Sequence, residues 1–481
     1  MTEPDERRYL MAWSALKHLM QGDLPGFSLA VFSAQGRPGE ILLKIIPAIL
    51  QFITGKIFGL DFFETKNFYV VFLYNFVIYV LILWLLYKIF LLVFRHRDLA
   101  IFGVLIYSLL LNSYVYLRHL YPYDASLLIF LFVLYHLFKL FFNKKHILAK
   151  QAFIFGSLSF FAFLVYPAYN LSFMALFGVF LFVLFQKNRN DLKKNIFIAS
   201  SYVVGSLSVL LFFELFSRVG GSSYIHNAMT LSTTVTQGDF WDTPTFLFRY
   251  LLAVEGFLGY VFLLVFLLGV FMFFRLARSK EDKDRIVLVV LFSYTFLYLF
   301  YVVLGYFFHN ATMYARILHQ FFPIWILLLL YILINIKFVY RYISMLSIAV
   351  IAVVFFVFQV HNYLKISYPR DVYWTYLRAY PRQQIIEIAE DEQSWSNLPQ
   401  KIYVKPDEMR NDSIISVNTF YFFPMDSSKL YRVYQVGAKQ KLIFDKLHFL
   451  NFKAYQFEGY NLKARKLIDS MQLHIKLYKP N

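Results

Sequence analysis

Three short stretches of this 481-residue chain collect the residue types that could do chemistry. The first runs Asp5-Glu6-Arg7-Arg8-Tyr9, then Gly22-Asp23-Leu24-Pro25, then Gly36-Arg37-Pro38-Gly39. The second, Arg118-His119-Leu120-Tyr121-Pro122-Tyr123-Asp124, crowds a cation, a histidine, two tyrosines and a carboxylate into one turn. The third holds His309-Asn310 and Tyr314-Ala315-Arg316, just before Phe321-Phe322-Pro323. A carboxylate within hydrogen-bond reach of a hydroxyl can act as general base, an effect of typically ~10²–10⁴-fold. Arginine presents planar, paired donors that suit a phosphate gathering negative charge. Together these types fit activation of a hydroxyl beside a bound phosphate.

The rest of the chain must position them, and its composition says where. It is 59% hydrophobic and only 16% charged, with 58 Phe and 37 Tyr. Such a balance excludes an ordinary soluble globule and fits a polytopic membrane protein. There is no cysteine, which removes disulfides, thiolate metal sites and a cysteine nucleophile. The formal charge of +18 invites a nucleic-acid reading. Its distribution argues otherwise: residues 68–361 hold 22 Lys/Arg against 10 Asp/Glu, so the largest excess lies in the apolar region. That is the mark of topology and anionic lipid.

Residues 1–67 read as a charged first loop, and 41–60 within it as an interfacial amphipathic helix interrupted by Lys44, Pro47 and Lys56. Spans of about 20 residues are expected near 68–94, 98–116, 124–142, 152–168, 170–186, 196–217, 248–274, 286–307, 317–335 and 343–361. Connections on one side carry Arg95, Arg97, Lys144, Lys145, Lys150, Lys187, Arg189, Lys193, Lys194, Arg275, Arg278, Lys280, Lys283, Arg285, Lys337 and Arg341. Those on the other carry only Arg118, Arg218 and Arg316. The positive-inside rule then puts the opening loop and the tail, 362–481, on the extracytoplasmic side. In the tail, apolar runs shorten and alternate at 401–405, 414–423, 431–435 and 473–479. With a helix expected over 382–392, this reads as a small extracytoplasmic α/β domain.

At the first stretch the chain resembles the GT-C class of polytopic glycosyltransferases, in particular the protein-mannosyltransferase and aminoarabinose-transferase branch. That family's opening outer loop reads Asp-Glu-x-x-Tyr, Gly-x-x-Pro and Gly-x-Pro-Pro. The third block departs here, with Gly39 in place of the second proline. The turn at 118–124 is similar to a family turn with an arginine and a Pro-x-Asp-like sequence. Tyr314-Ala315-Arg316 and Pro323 resemble an Ala-Arg-Tyr element, with Ile317 where the tyrosine stands. The resemblance covers roughly residues 5–345. It implies a GT-C-like helical bundle preceded by a further span, which the upstream reading frame would encode. It also implies a polyprenyl-phosphate sugar as donor and single displacement with inversion. Asp5 would be the base, with Glu6 and Asp124 as alternatives. Arg118 and Arg316 would hold the donor phosphate, helped by His119 and Tyr123. The acceptor would be an envelope glycan, lipid or protein, and the setting the cytoplasmic membrane of a bacterium.

Plainer roles stand beside these. Asp5 and Glu6 also fit a solvated terminus, Arg118 and Arg316 lipid-facing arginines, His119 a structural residue, and Asp124 a helix cap. Glu214 and Glu255 lie in apolar helices near their outer ends, where acids are functional candidates. His226 in the 218–247 loop could pair with an acid around a divalent metal; whether the reaction needs one is open, and no metal ligand set or cofactor is read. The rival functions are an O-antigen ligase or polymerase, a transporter, and a non-enzymatic scaffold. A transporter would show repeated halves and broken helices, and neither is read in this sequence.

Overall fold

The computed structural model describes residues 8–32, 38–60, 65–117, 123–166, 170–187, 191–236, 245–308 and 315–364, and the strands 385–388, 414–420, 440–449 and 472–480. Two compact units divide between Phe358 and Gln359.

The first unit is helical. Helices α1 (Arg8–Met20), α2 (Leu24–Phe32) and α3 (Ile41–Phe58) precede the long α4 (Tyr69–Phe94). After them come α5 (Arg97–Ser108), α6 (Leu111–Leu117), α7 (Tyr123–Phe142), α8 (Ala149–Val165), α9 (Asn170–Lys187) and α10 (Leu192–Val219). Then follow α11 (Tyr224–Thr236), α12 (Phe246–Glu255), α13 (Phe257–Arg278), α14 (Asp282–Val302), α15 (Phe322–Ile334) and α16 (Phe338–Leu364). Among the described residues, seven helices are long and apolar enough to cross a bilayer: Ile41–Phe58, Lys66–Phe94, Tyr123–Phe142, Leu192–Val219, Phe257–Arg278, Asp282–Val302 and Phe338–His361. The chain is a multi-pass membrane protein. Its interior helix is α15, apolar on all sides and buried along nearly its whole length, as expected of a helix with no polar face. By contrast α16 turns most of its apolar surface outward.

Some expected spans are not single α-helices: 317–335 opens as a 3₁₀ turn, Ala315–Gln320, before α15, and two others break within the segment. The segment 98–116 breaks at Leu109 and Leu110 between α5 and α6, and 248–274 breaks at Gly256 between α12 and α13. Gly256 sits at φ 55°, ψ −117°, a conformation open essentially to glycine alone. The expectation of unbroken helices is therefore corrected. No proline marks either break, and both lie inside runs apolar enough on average to read as spans.

The first three helices form a buried cluster with the ends of α8 and α10. Tyr9, Ala12, Phe32 and Ile41 pack with Leu164, Val165, Phe213, Tyr224 and Val71. At the other end of α3, Gly55 lies against Asn67, just before α4. Both ends of α3 thus meet the same end of the bundle. Lys44, which argued against a span here, is buried and paired with Glu40, its Nζ 2.7 Å from Oε1. The charge is therefore compensated inside the fold rather than exposed to lipid.

Helices α8 and α10 approach backbone to backbone. A Cβ on Gly156 would run into the Tyr202 carbonyl oxygen, and one on Gly205 into that of Phe153. The Ser157 hydroxyl bridges the contact by donating to the Gly205 carbonyl at 3.0 Å. Small residues that let helix backbones touch in this way hold membrane helices together.

The second unit is described through four strands: β1 (Ile385–Ile388), β2 (Ile414–Phe420), β3 (Gln440–Phe449) and β4 (Gln472–Pro480), in the order β1-β2-β4-β3. β1 runs parallel to β2, and β4 is antiparallel to both β2 and β3. β2 and β4 match the expected alternating runs at 414–423 and 473–479. β1 replaces the helix expected over 382–392, β3 was not read, and 401–405 and 431–435 lie outside the described residues. Among the described residues this unit holds, beyond the last turns of α16, strands and no helix, so the α/β class expected of it is not supported.

Candidate functional site

The second and third chemistry-bearing stretches come together at one end of the bundle. Asp124 is the second residue of α7, where the helix dipole favours a carboxylate. A short 3₁₀ helix, Ala315–Gln320, precedes α15 and carries both Arg316 and His319. His319 Nε2 lies 2.8 Å from Asp124 Oδ1, and Nδ1 lies 3.1 Å from Asn112 Oδ1 on α6. His319 is fully buried, and Asp124 and Asn112 are nearly so. The ring of Tyr107, from α5, stands 6.5 Å from the His319 ring.

One further acid secures this arrangement. Glu255, the last residue of α12, is buried and accepts hydrogen bonds from the backbone N–H groups of Leu111 and Asn112, at 2.8 and 2.9 Å. These are the first two residues of α6, so the carboxylate satisfies donors that every helix start leaves open. The breaks at 109–110 and at 256 therefore meet at one side chain. From Asp124 the chain of contacts runs to His319, then to Asn112, then to Glu255, across α7, the 3₁₀ turn, α6 and α12.

The other nominated residues fall as follows. Asp5, Glu6, Arg118 and His119 lie outside the described residues, as does the side chain of Arg316. Tyr123 is buried with its ring centroid 4.3 Å from that of Tyr166, at the end of α8. Glu214 accepts from Arg218 Nε at 2.7 Å, from the Ser223 hydroxyl at 3.1 Å and from the Ile225 N–H at 3.0 Å. It tethers the start of α11, much as Glu255 tethers α6. His226 is exposed, and among the described residues no group of three or more His, Asp or Glu is placed to hold a metal ion.

In the first stretch the motif residues build turns. Asp23 caps α2, its Oδ1 accepting from the Gly26 N–H at 2.9 Å while Oδ2 lies 2.7 Å from His18 Nδ1. The Gly26 bond, and after it His18, holds the Asp23 carboxyl below its usual range. The Tyr9 hydroxyl is buried and donates to Gln51 Oε1 at 2.6 Å, fastening α1 to α3.

His319 and Asn112 were not singled out from the sequence, although a signal existed. Both are polar residues inside segments that read as spans, where such side chains mark function or structure by default. Below them a narrow apolar slot runs between α7, α9, α14 and α15, with Ser172, Tyr294 and Gln320 among its lining residues. Compared with known proteins, the chain matches no family model, no curated sequence and no solved structure.

Proposed function

We propose that this protein is a membrane glycosyltransferase of the GT-C kind, moving a sugar from a polyprenyl phosphate to a hydroxyl of an envelope glycan, lipid or protein. One observation carries the reading: the His319–Asp124 bond joins the turn that follows Arg118 to the turn that holds Arg316. These turns hold two of the three Lys/Arg in the short outward connections, the third being Arg218. The reaction would take place on the extracytoplasmic face of a bacterial cytoplasmic membrane, with α1 to α3 and the tail on that face. α3 would lie along the interface, which its two ends at one end of the bundle support.

In the proposed step the acceptor hydroxyl gives its proton to Asp5, its oxygen bonds to the anomeric carbon, and the carbon–oxygen bond to phosphate breaks. The lipid phosphate leaves with the electron pair, held by Arg118 and Arg316, and the anomeric centre inverts. Asp124 is turned inward to His319, which favours a supporting part for it and leaves the base to Asp5. Membranes holding the protein should transfer label from a radiolabelled polyprenyl-phosphate sugar to an acceptor. Asp5→Asn should lower turnover by about 10²-fold or more while donor binding survives. No transfer from any such donor by folded protein overturns the reading.

The broken helices at 109–110 and 256, meeting at a buried acid, favour a transporter as the second reading, since broken helices commonly surround transport sites. Uptake of a lipid-linked sugar into proteoliposomes with its glycosidic bond intact would select it.

A further inference from the structure

Helix α3 carries its more apolar face on the outside. Its buried positions include Lys44, Gln51 and Gly55 beside Ile41, Ile45 and Ala48. The opposite face presents Ile46, Leu50, Ile53 and Ile57, a single helical stripe whose members are between 39% and 68% exposed. A helix resting on a protein in water turns such a stripe inward. One that turns it outward is suited to lie against hydrocarbon at a membrane surface.

Along the flank of this stripe a row of four side chains joins α3 to α1. Lys17 Nζ stands 5.3 Å from the centroid of the Trp13 ring. The Trp13 and Phe52 rings lie 6.0 Å apart, and Lys56 Nζ stands 5.7 Å from the Phe52 centroid. Both rings pack against the buried cluster that holds Tyr9, Ala12 and Ile45, while both lysines are exposed. An aromatic face attracts a cation but has no net charge. It therefore fixes each ammonium in place without neutralising it. The acids close by in sequence are already engaged. Among the described residues of 8–60 they are Asp23, bonded to Gly26 and His18, and Glu40, paired with Lys44. Neither Lys17 nor Lys56 has an ion-pair partner among the described residues.

We propose that α1 and α3 form a binding surface for anionic phospholipid. Ile46, Leu50, Ile53 and Ile57 lie against acyl chains, and Lys17 and Lys56 take the headgroup phosphates. A zwitterionic lipid brings its own cation beside the phosphate, so the two lysines favour a head of net negative charge, such as phosphatidylglycerol. An acidic soluble partner would meet the lysines and leave the stripe in water. The proposal rests on α3 lying along the interface and is independent of sugar transfer.

The chain has no cysteine, so Ile53→Cys gives the full protein a single site for a fluorophore. In bilayers of phosphatidylglycerol and phosphatidylcholine, lipid brominated in its chains should quench that fluorophore. At equal mole fraction, brominated phosphatidylglycerol should quench more than brominated phosphatidylcholine. Lys17→Gln combined with Lys56→Gln should lower this local preference by up to about fivefold per lysine. Lys17→Arg combined with Lys56→Arg should keep it. Where the Gln pair does not fold, the preference measured with both lysines present should fall as salt is raised. Absence of quenching by either lipid overturns the interfacial placement of α3 and the proposal with it. Equal quenching by the two lipids, or a preference that survives the Gln pair or high salt, overturns the part given to the lysines. Transfer of labelled sugar is measured separately, so its presence or absence leaves these outcomes as they stand.

Discussion

Gly39 stands at φ 87°, with the Leu164 carbonyl oxygen 3.1 Å from where a Cβ would be. Proline, locked near φ −65°, cannot take that conformation. Glycine is therefore a backbone requirement of the turn into α3, whatever the loop does chemically. Gly39→Ala should destabilise the protein by about 1–3 kcal/mol, the usual cost of a strained backbone position. Thermal unfolding in detergent would measure it, and an unchanged melting point would mean that the turn relaxes freely. At this scale the sequence shows where a polar residue stands more readily than what it meets. Asp124 was legible because a lone acid opened an apolar run. Its partner was not, because His319 and Gln320 sit inside a stretch that counts as apolar on average, and periodicity says nothing about what lies across a bundle.

Helices were legible as elements, and their interruptions were not. Hydrophobicity registers whether a residue suits lipid, while a break needs only a backbone that can turn and something to satisfy the freed groups. For α6 that something is Glu255, more than a hundred residues later in the chain, a dependence no local pattern reveals. Glu255→Ala should leave the N–H groups of Leu111 and Asn112 buried and unpaired, at a cost of about 3 kcal/mol. The damage should be local: a cysteine placed in α6 should become more reactive to a thiol reagent, and one placed in α15 should not. Equal reactivity in both would show that the carboxylate does not anchor α6. The tail shows the converse failure. Short alternating runs identified β2 and β4, yet the 382–392 segment, helical by its pattern, contains β1, whose pairing with β2 overrode local preference.

Contacts within the first unit sort the helix ends into two sets. At one end, the Tyr342 hydroxyl donates to Asp98, and Arg285 Nη1 donates to Gln186 Oε1 at 3.5 Å, among the many basic connections. At the other end lie Asp124, His319 and the α1–α3 cluster. That sorting agrees with the distribution of Lys and Arg, so reporters fused after Lys194 or Arg285 should read cytoplasmic. Fusions after Gly238 or at Asn481 should read extracytoplasmic, and a cytoplasmic C-terminus would invert the proposed site. One contact in this unit also bears on how the chain is made. Helices α8 and α10 touch through Gly156 and Gly205, yet the whole of α9 is synthesised between them. Domains emerge N-terminus first at ~5–20 residues per second, so α8 spends a few seconds in the bilayer before its partner arrives. During that interval its glycine and serine face is open to any small-faced helix, including the α8 of a neighbouring nascent chain. Assembly of the wrong pair at this step, rather than unfolding of the finished bundle, is where substitutions along Gly156 and Ser157 should first be felt, as a lower yield of inserted protein.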